Sequence, residues 1–308
     1  MKRDRCQSVP HRPIFLGRSA RRPAALPIAC AIGILCGSNP ITGALSANAA
    51  EGPEESVDKR EFTLFKPTPK HLLREMSTDR PDFTESPFTV DAGHFQVELS
   101  FLEFTHDNSG GGVDQYAILP TNLKLGLLHC VDLQLVLNPY LVVDADDGTT
   151  DGFGDTQLRA KINLWGNDGG PTALGLMPFI QFPTAADDLG SDRVEGGLII
   201  PFSLELPAGW SLGLMAELDA VRNSANDDYG FEFVHTVAIG RGIAGPLGGY
   251  VEYIGIAPHR TGSGYDAAIG LGLTYGLSAD VQLDAGANLG ISGGADDVTL
   301  FSGIAFRL

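Results

Sequence analysis

Lysine almost disappears from the later part of this chain: beyond residue 70 only Lys124 and Lys161 remain. Soluble β-sheets commonly guard edges and solvent faces with lysine, so a strand-rich chain without it does not read as a water-exposed sandwich. Long hydrophobic runs are missing too, and nothing approaches the ~18–20 apolar residues that a membrane-spanning helix requires. Three of the four cysteines, Cys6, Cys30 and Cys36, fall near the N-terminus. If that segment is removed, Cys130 stands alone, and one chain holds neither a disulfide framework nor a cysteine metal site. Basic residues are scarce, 21 against 38 acidic ones for a net charge of −17. No nucleic-acid partner is therefore expected, because binding it rests on Lys and Arg neutralising phosphates.

What is present begins with an export signal. Lys2, Arg3, Arg5, Arg12, Arg18, Arg21 and Arg22 precede an apolar segment from Ala24 to Cys36, and Ala47-Asn48-Ala49 follows. A positive region, a short apolar core and a small-residue cleavage site make a secretory signal peptide over residues 1–49. Pro27 interrupts the apolar run, which is in any case too short to span a bilayer. Arg21-Arg22 hints at twin-arginine export, but that route carries folded cargo, and general secretion fits better. Cleavage after Ala49 leaves 14 basic residues against 37 acidic ones, a formal charge of −23.

Residues 50–76 are polar and broken by Pro53, Pro67 and Pro69, the composition of a linker. From Gly93 onward the pattern is alternation. Between Asp155 and Leu164, polar Asp155, Gln157, Arg159, Lys161 and Asn163 interleave with Thr156, Leu158, Ala160, Ile162 and Leu164. Period two means a β-strand, and about ten residues is the length with which a tilted strand crosses a bilayer. Twelve such segments are expected, at 93–105, 115–127, 133–143, 154–165, 172–182, 195–206, 210–221, 231–241, 249–257, 266–275, 280–291 and 298–308. Connections alternate between long Asp- or Gly-rich loops and shorter turns, as in bacterial barrels with long external loops. The fold class is all-β, an antiparallel transmembrane barrel of about twelve strands over 93–308. The final strand, with Val298, Leu300, Ile304, Phe306 and Leu308 on one face, would pair with the first and leave no edge.

Just before the first strand stands Ser77-Thr78-Asp79-Arg80-Pro81-Asp82-Phe83-Thr84-Glu85-Ser86-Pro87. This segment resembles the outer-membrane "transporter" family named for the meta-pathway of phenol degradation. Gly152-Phe153-Gly154-Asp155 with Lys161, Leu176 to Thr184, and Val251-Glu252-Tyr253 are similar to its later landmarks. The resemblance covers residues 77–308. It implies an outer-membrane location and a solute such as phenol.

Candidate functional residues follow from the alternation. Glu98, Lys124, Arg159, Lys161, Glu205, Glu217, Asp219, Glu252, Asp266, Asp284 and Arg307 fall on the lumen face. A charge inside a barrel needs water or a partner. These charges therefore either fill the barrel as salt bridges or form a constriction that selects solutes. Arg159 and Lys161, two apart on one face, could pair with Glu98, with Glu217 or with a plug. Asp79, Arg80, Asp82, Phe83 and Glu85 form either a plug or gate in the lumen, with Phe83 and Phe88 packing inward, or a periplasmic strap. Tyr116, Tyr140, Tyr250 and Phe301 are candidates for lumen aromatics. The external acidic runs, densest at Asp144, Asp146, Asp147 and Asp151, lack the spacing of a calcium loop and read as a solvated rim.

No catalytic or metal site and no cofactor is expected. His235 alternates onto the apolar face, no Gly-x-Ser-x-Gly elbow occurs, and the other histidines lack ligand spacing. The expected function is a passive channel or facilitated transporter for small solutes, aromatic or hydrophobic compounds among them. The alternatives are a lipase- or protease-like barrel enzyme and a closed structural barrel. The expected partners are outer-membrane lipid and lipopolysaccharide, the barrel-assembly machinery and the small-molecule solute.

Overall fold

The computed structural model describes residues 58–108, 112–222, 228–258 and 264–308. The signal peptide expected over residues 1–49 and the start of the linker lie outside the described residues. Fifteen strand segments follow one another: β1 (Phe95–Asp107), β2 (Val113–Ile118), β3 (Thr121–Leu128), β4 (Val131–Leu137), β5 (Tyr140–Ala145), β6 (Gly148–Gly152), β7 (Thr156–Trp165), β8 (Thr172–Phe182), β9 (Glu195–Leu206), β10 (Trp210–Arg222), β11 (Tyr229–Ala244), β12 (Leu247–Ala257), β13 (Asp266–Ser278), β14 (Val281–Gly290) and β15 (Val298–Arg307). Each pairs antiparallel with its neighbours, and β15 pairs with β1 from Gln96↔Arg307 to His106↔Val298. The sheet is therefore closed. β2 with β3, β4 with β5, and β6 with β7 are each one strand broken partway, so the barrel has twelve strands, as the alternation predicts.

Closure explains why so many apolar side chains can face outward. Phe231, Phe233, Val237 and Ile239 of β11 are exposed, while Val234, Thr236 and Ala238 between them are buried. A sheet of this polarity buries its polar backbone groups in its own ladder and presents apolar side chains to lipid. Trp165 and Trp210 stand near the ends of β7 and β10, and Arg241 lies over the Trp210 ring at 5.0 Å. Such amphipathic rings suit the headgroup level.

The breaks fall on three adjacent strands. Leu119 takes a positive φ of 57° before Pro120, which separates β2 from β3. Asn138-Pro139 separates β4 from β5, and Phe153 to Asp155 separates β6 from β7. Proline has no N–H to give to a ladder, so two of these interruptions have a local cause. Beyond the breaks β2, β5 and β6 rise as a small sheet on which β6 has only β5 as a neighbour. The long loop expected at 144–153 is thus mostly a hairpin. Beside it the 183–194 loop folds back, with Ala186 N donating to Phe153 O at 2.8 Å and Leu189 buried against Ala117 and Leu141. Asp155 fixes that loop by accepting from Ala185 N at 3.1 Å, and from Ser191 N and Oγ at 2.8 and 3.0 Å.

Candidate functional site

Residues 58–76 do not hang free. Thr63 bridges to Leu128, Leu64 N donates to Leu127 O at 2.8 Å, and Thr68 N donates to Ala92 O at 2.9 Å, so the segment straps the periplasmic end of β1 and β3. Arg74 anchors it further, through Asp168 at 2.8 Å and Thr89 O at 3.2 Å, and sits 3.5 Å from Asp91. The Asp168 carboxyl would be raised by its partial burial, but Arg74 and Lys59 outweigh this and lower its pKa.

From Ser77 the chain turns into the lumen, and the segment from Asp79 to Glu85 touches walls on several sides. Asp79 sits between two lysines from different strands, Lys124 of β3 and Lys161 of β7, the latter at 2.5 Å. Its N–H donates to Glu98 of β1 at 3.1 Å, and Glu98 also contacts Lys124. Burial alone would raise the Asp79 carboxyl, but the two ammonium groups outweigh it and hold its pKa far below the usual range. Arg80 reaches the other way, to Asp284 of β14 at 2.7 Å, with Glu103 at 3.8 Å. Here too burial opposes the charge and the carboxylates prevail, raising the guanidinium's pKa. Phe83 N and Thr84 N both donate to Glu252 of β12, at 2.8 and 2.7 Å, and Thr84 Oγ1 meets Thr236 Oγ1 of β11 at 2.6 Å. Glu85 pairs with Arg159 of β7. The descending limb is held by Asn163 on Pro87 O at 2.9 Å, Asn167 on Thr89 N at 3.0 Å and Asp132 on Val90 N at 3.0 Å. It then crosses so close to β3 that a Cβ at Gly126 would overlap the Asp91 carbonyl.

This segment lies in the lumen in the position of a plug, in the half of the barrel that carries the shorter turns, which in bacterial barrels is the periplasmic half. Lys124 and Lys161 lie four residues from the ends of β3 and β7, and Glu252 five from the start of β12. At ~3.3 Å per residue those contacts fall about 13–17 Å along the strands. Phe83 packs on an apolar group formed by Met177, Ile199, Met215, Val234 and Ile256, all turned inward from β8 to β12, with Phe179 beside it. On the periplasmic side of that group the plug leaves the wall. A cavity of about 450 Å³ lies between Arg80, Asp82 and Ser86 of the plug and Gly213, Gly240 and Tyr250 of the opposite wall.

The residues singled out from the alternation fall into groups. Glu98, Lys124, Arg159, Lys161 and Glu252 meet the plug directly. Glu217 is buried on the lumen face nearer the outside, and Glu205 is exposed at the periplasmic end of β9. Arg307 is not in the constriction; it pairs with Asp280 at 2.6 Å, lies 3.7 Å from Asp91 and donates to Arg74 O, clasping the strap at the barrel's edge. Among the four aromatics, Tyr250 lines the cavity and Phe301 packs over Gly286 inside. Tyr116 and Tyr140 depart from expectation. Gln115, Ala117 and Leu141 beside them are the buried residues of β2 and β5, which turns Tyr116 toward Phe104 and Tyr140 to the exposed face with Asp151. His235 lies on the outward face, its Nε2 2.8 Å from Tyr265 Oη. Asp132, Asn163 and Thr236 were not singled out as plug ligands, although the same period two already turns them inward; Asn167, in the turn after β7, carries no such signal.

A closed twelve-stranded barrel with an apolar outer surface and a polar interior has the fold of an outer-membrane barrel. Residues 78–308 match the family described as "Putative MetA-pathway of phenol degradation", and the chain belongs to it. Among solved structures it is similar to an outer membrane channel from Pseudomonas putida F1, at 12% identity and a TM-score of 0.57, over 75% of this chain and 100% of that one. It also resembles the NanC porin, at 10% identity and a TM-score of 0.46, over 70% of this chain and 100% of the porin. No curated protein matches the chain.

Proposed function

We propose that this protein is a passive outer-membrane channel for small solutes, aromatic and other apolar compounds among them, in which residues 77–90 narrow the path to one side of the lumen. The observation that carries the reading is the asymmetry of the plug. Its ion pairs hold it to β1, β3, β7 and β14, while a cavity of about 450 Å³ separates its other side from the glycine-rich wall of β10 to β12. A solute that enters from outside meets the apolar group around Met177 and Met215 first, then the cavity. Apolar lining followed by a few polar groups is the usual composition of a small-molecule site. Tyr250 and Phe301 give it two inward aromatic rings.

Export by a signal peptide cut after Ala49, insertion by the barrel-assembly machinery and lipopolysaccharide around the rim belong to the same reading. The reading includes no catalytic step. His235, the histidine most deeply placed in a strand, faces lipid rather than the lumen.

Single-channel conductance in a planar bilayer tests it, with the mature protein compared to one lacking residues 58–90. Small ohmic steps that grow several-fold on deletion are expected, and uptake of phenol into vesicles should exceed that of a sugar of similar size. Silence from both well-folded barrels would overturn the channel reading.

A further inference from the structure

The lumen segregates its charges. Among the described strands, lysine and arginine point into the barrel's interior from β3 and β7, as Lys124, Arg159 and Lys161, all three occupied by plug carboxylates, and at the edge from β15, as Arg307, which Asp280 holds. The facing wall, from β9 to β14, turns Glu205, Glu217, Asp219, Glu252, Asp266 and Asp284 inward, and the basic residue it brings to the cavity, Arg241 of β11, lies over the Trp210 ring at 5.0 Å. Arg80 answers Asp284. Glu252 accepts hydrogen bonds from the plug backbone and Thr84, which satisfy its oxygens without a counter-charge.

Asp82 is the exception in the plug. Asp79 and Glu85 each have a cation, but Asp82 has none among the described residues; its charged neighbours are Glu252, Asp79 and Glu85. Burial and then Glu252 raise its pKa well above the usual carboxylate range, the response of a carboxylate that lacks a positive partner. It lines the cavity, and so does Tyr250, whose buried Oη has no hydrogen-bond partner. Gly272 makes room for that ring, since a Cβ there would lie 2.6 Å from it. A carboxylate without an ion pair, an unused hydroxyl acceptor and an aromatic ring, all beside one cavity whose Arg80 is already taken by Asp284, form the complement of an ammonium group.

We propose that Asp82 and Tyr250 make this cavity a binding site for organic ammonium ions, and that the path beside the plug passes cations in preference to anions. The inference rests on the channel reading for its second half only. A positive solute would supply the counter-charge that Asp82 lacks, and the acidic arc would lead it there from the outer rim.

The test uses the full mature protein and Asp82→Asn, a substitution that breaks no ion pair of the plug. Under an about tenfold KCl gradient the reversal potential of the wild type should approach that of potassium, and Asp82→Asn should cut the cation preference about three- to tenfold. In parallel, calorimetry in detergent compares benzylammonium with benzyl alcohol. The amine should bind at least about tenfold more tightly, losing that advantage in Asp82→Asn and part of it in Tyr250→Phe. Ohmic but non-selective conductance, or selectivity unchanged by Asp82→Asn, would refute cation preference and leave the channel intact. If the barrel is silent while the amine still binds through Asp82, the site stands and the open path falls. Equal binding of amine and alcohol overturns the site.

Discussion

Asp79→Asn is the most informative single change in the plug. Asparagine keeps the acceptor for Ser86 N, 2.9 Å from Oδ1, and keeps the shape. What it removes is the charge shared by Lys124 and Lys161, which are 2% and 1% exposed. Lys124 retains Glu98, whereas Lys161 loses its ion pair. Breaking a buried pair by deleting one partner costs about 3–5 kcal/mol, because the other charge is left unpaired in a poor solvent. Applied to docking alone, that shifts the balance between seated and released plug by about a hundredfold to several thousandfold. The remaining ties, Arg80 to Asp284 and Glu85 to Arg159, keep the segment near the lumen but not locked. The expected result is longer or larger conductance steps, together with cleavage after Glu85 by a glutamate-specific protease that spares the wild type in liposomes. Adding Lys161→Met should restore much of the protection, since replacing a buried pair with apolar groups is often close to neutral. If Asp79→Asn leaves both conductance and protection unchanged, or if Lys161→Met worsens the defect additively, the lysine bridge does not seat the plug.

Other perturbations follow from the same geometry. Asp82 and Glu85 have raised pKa values in the seated plug, by burial first and by carboxylate neighbours second. The seated state then holds their protons more tightly than the released one, so seating is strongest at low pH and weakens as pH climbs through the raised values. Asp79, lowered, works in the opposite sense only in strong acid. Wild-type conductance should therefore rise as pH climbs above the usual carboxylate range, and a fall would count against the assignment. Gly242→Phe enters the cavity at a position where a Cβ meets nothing within 4 Å, and should lower conductance without changing the heat-dependent gel mobility of the barrel. Asp155→Ala deletes the acceptor for Ala185 and Ser191, at a cost of about 1.5–3 kcal/mol for each hydrogen bond to a charged group. External protease should then cut the 183–194 loop in intact cells, and an uncut loop would show that Leu189 alone holds it.

The barrel was legible because period two survives any number of loops, and all twelve expected segments overlap one long strand or a broken pair with ends displaced by a few residues. The ninth segment, 249–257, has the most mixed alternation, because Glu252 and Tyr250 are polar on a face that elsewhere carries glycine and isoleucine. That irregularity marks where the plug docks. The strand breaks were written in Leu119-Pro120 and Asn138-Pro139, yet a proline at a strand's edge and one that splits it look alike without the neighbouring strands. The plug's composition was visible, but its position was not. Pairing of β3 and β7 with β4 between them brings Lys124 and Lys161, 37 positions apart in the chain, to either side of Asp79. The same limit misdirected Tyr116 and Tyr140, since a break resets which alternate residues face inward.

The plug precedes β1, so the chain carries its own stopper from the first strand onward. Its partners arrive in order: Glu98 with β1, Lys124 with β3, Arg159 and Lys161 with β7, Thr236 with β11, Glu252 with β12 and Asp284 with β14. A segment bound to both early and late strands draws the two ends of an unfinished sheet around one centre. The stopper is thereby also a mandrel, and a barrel that zips shut around it is born with its path already narrowed.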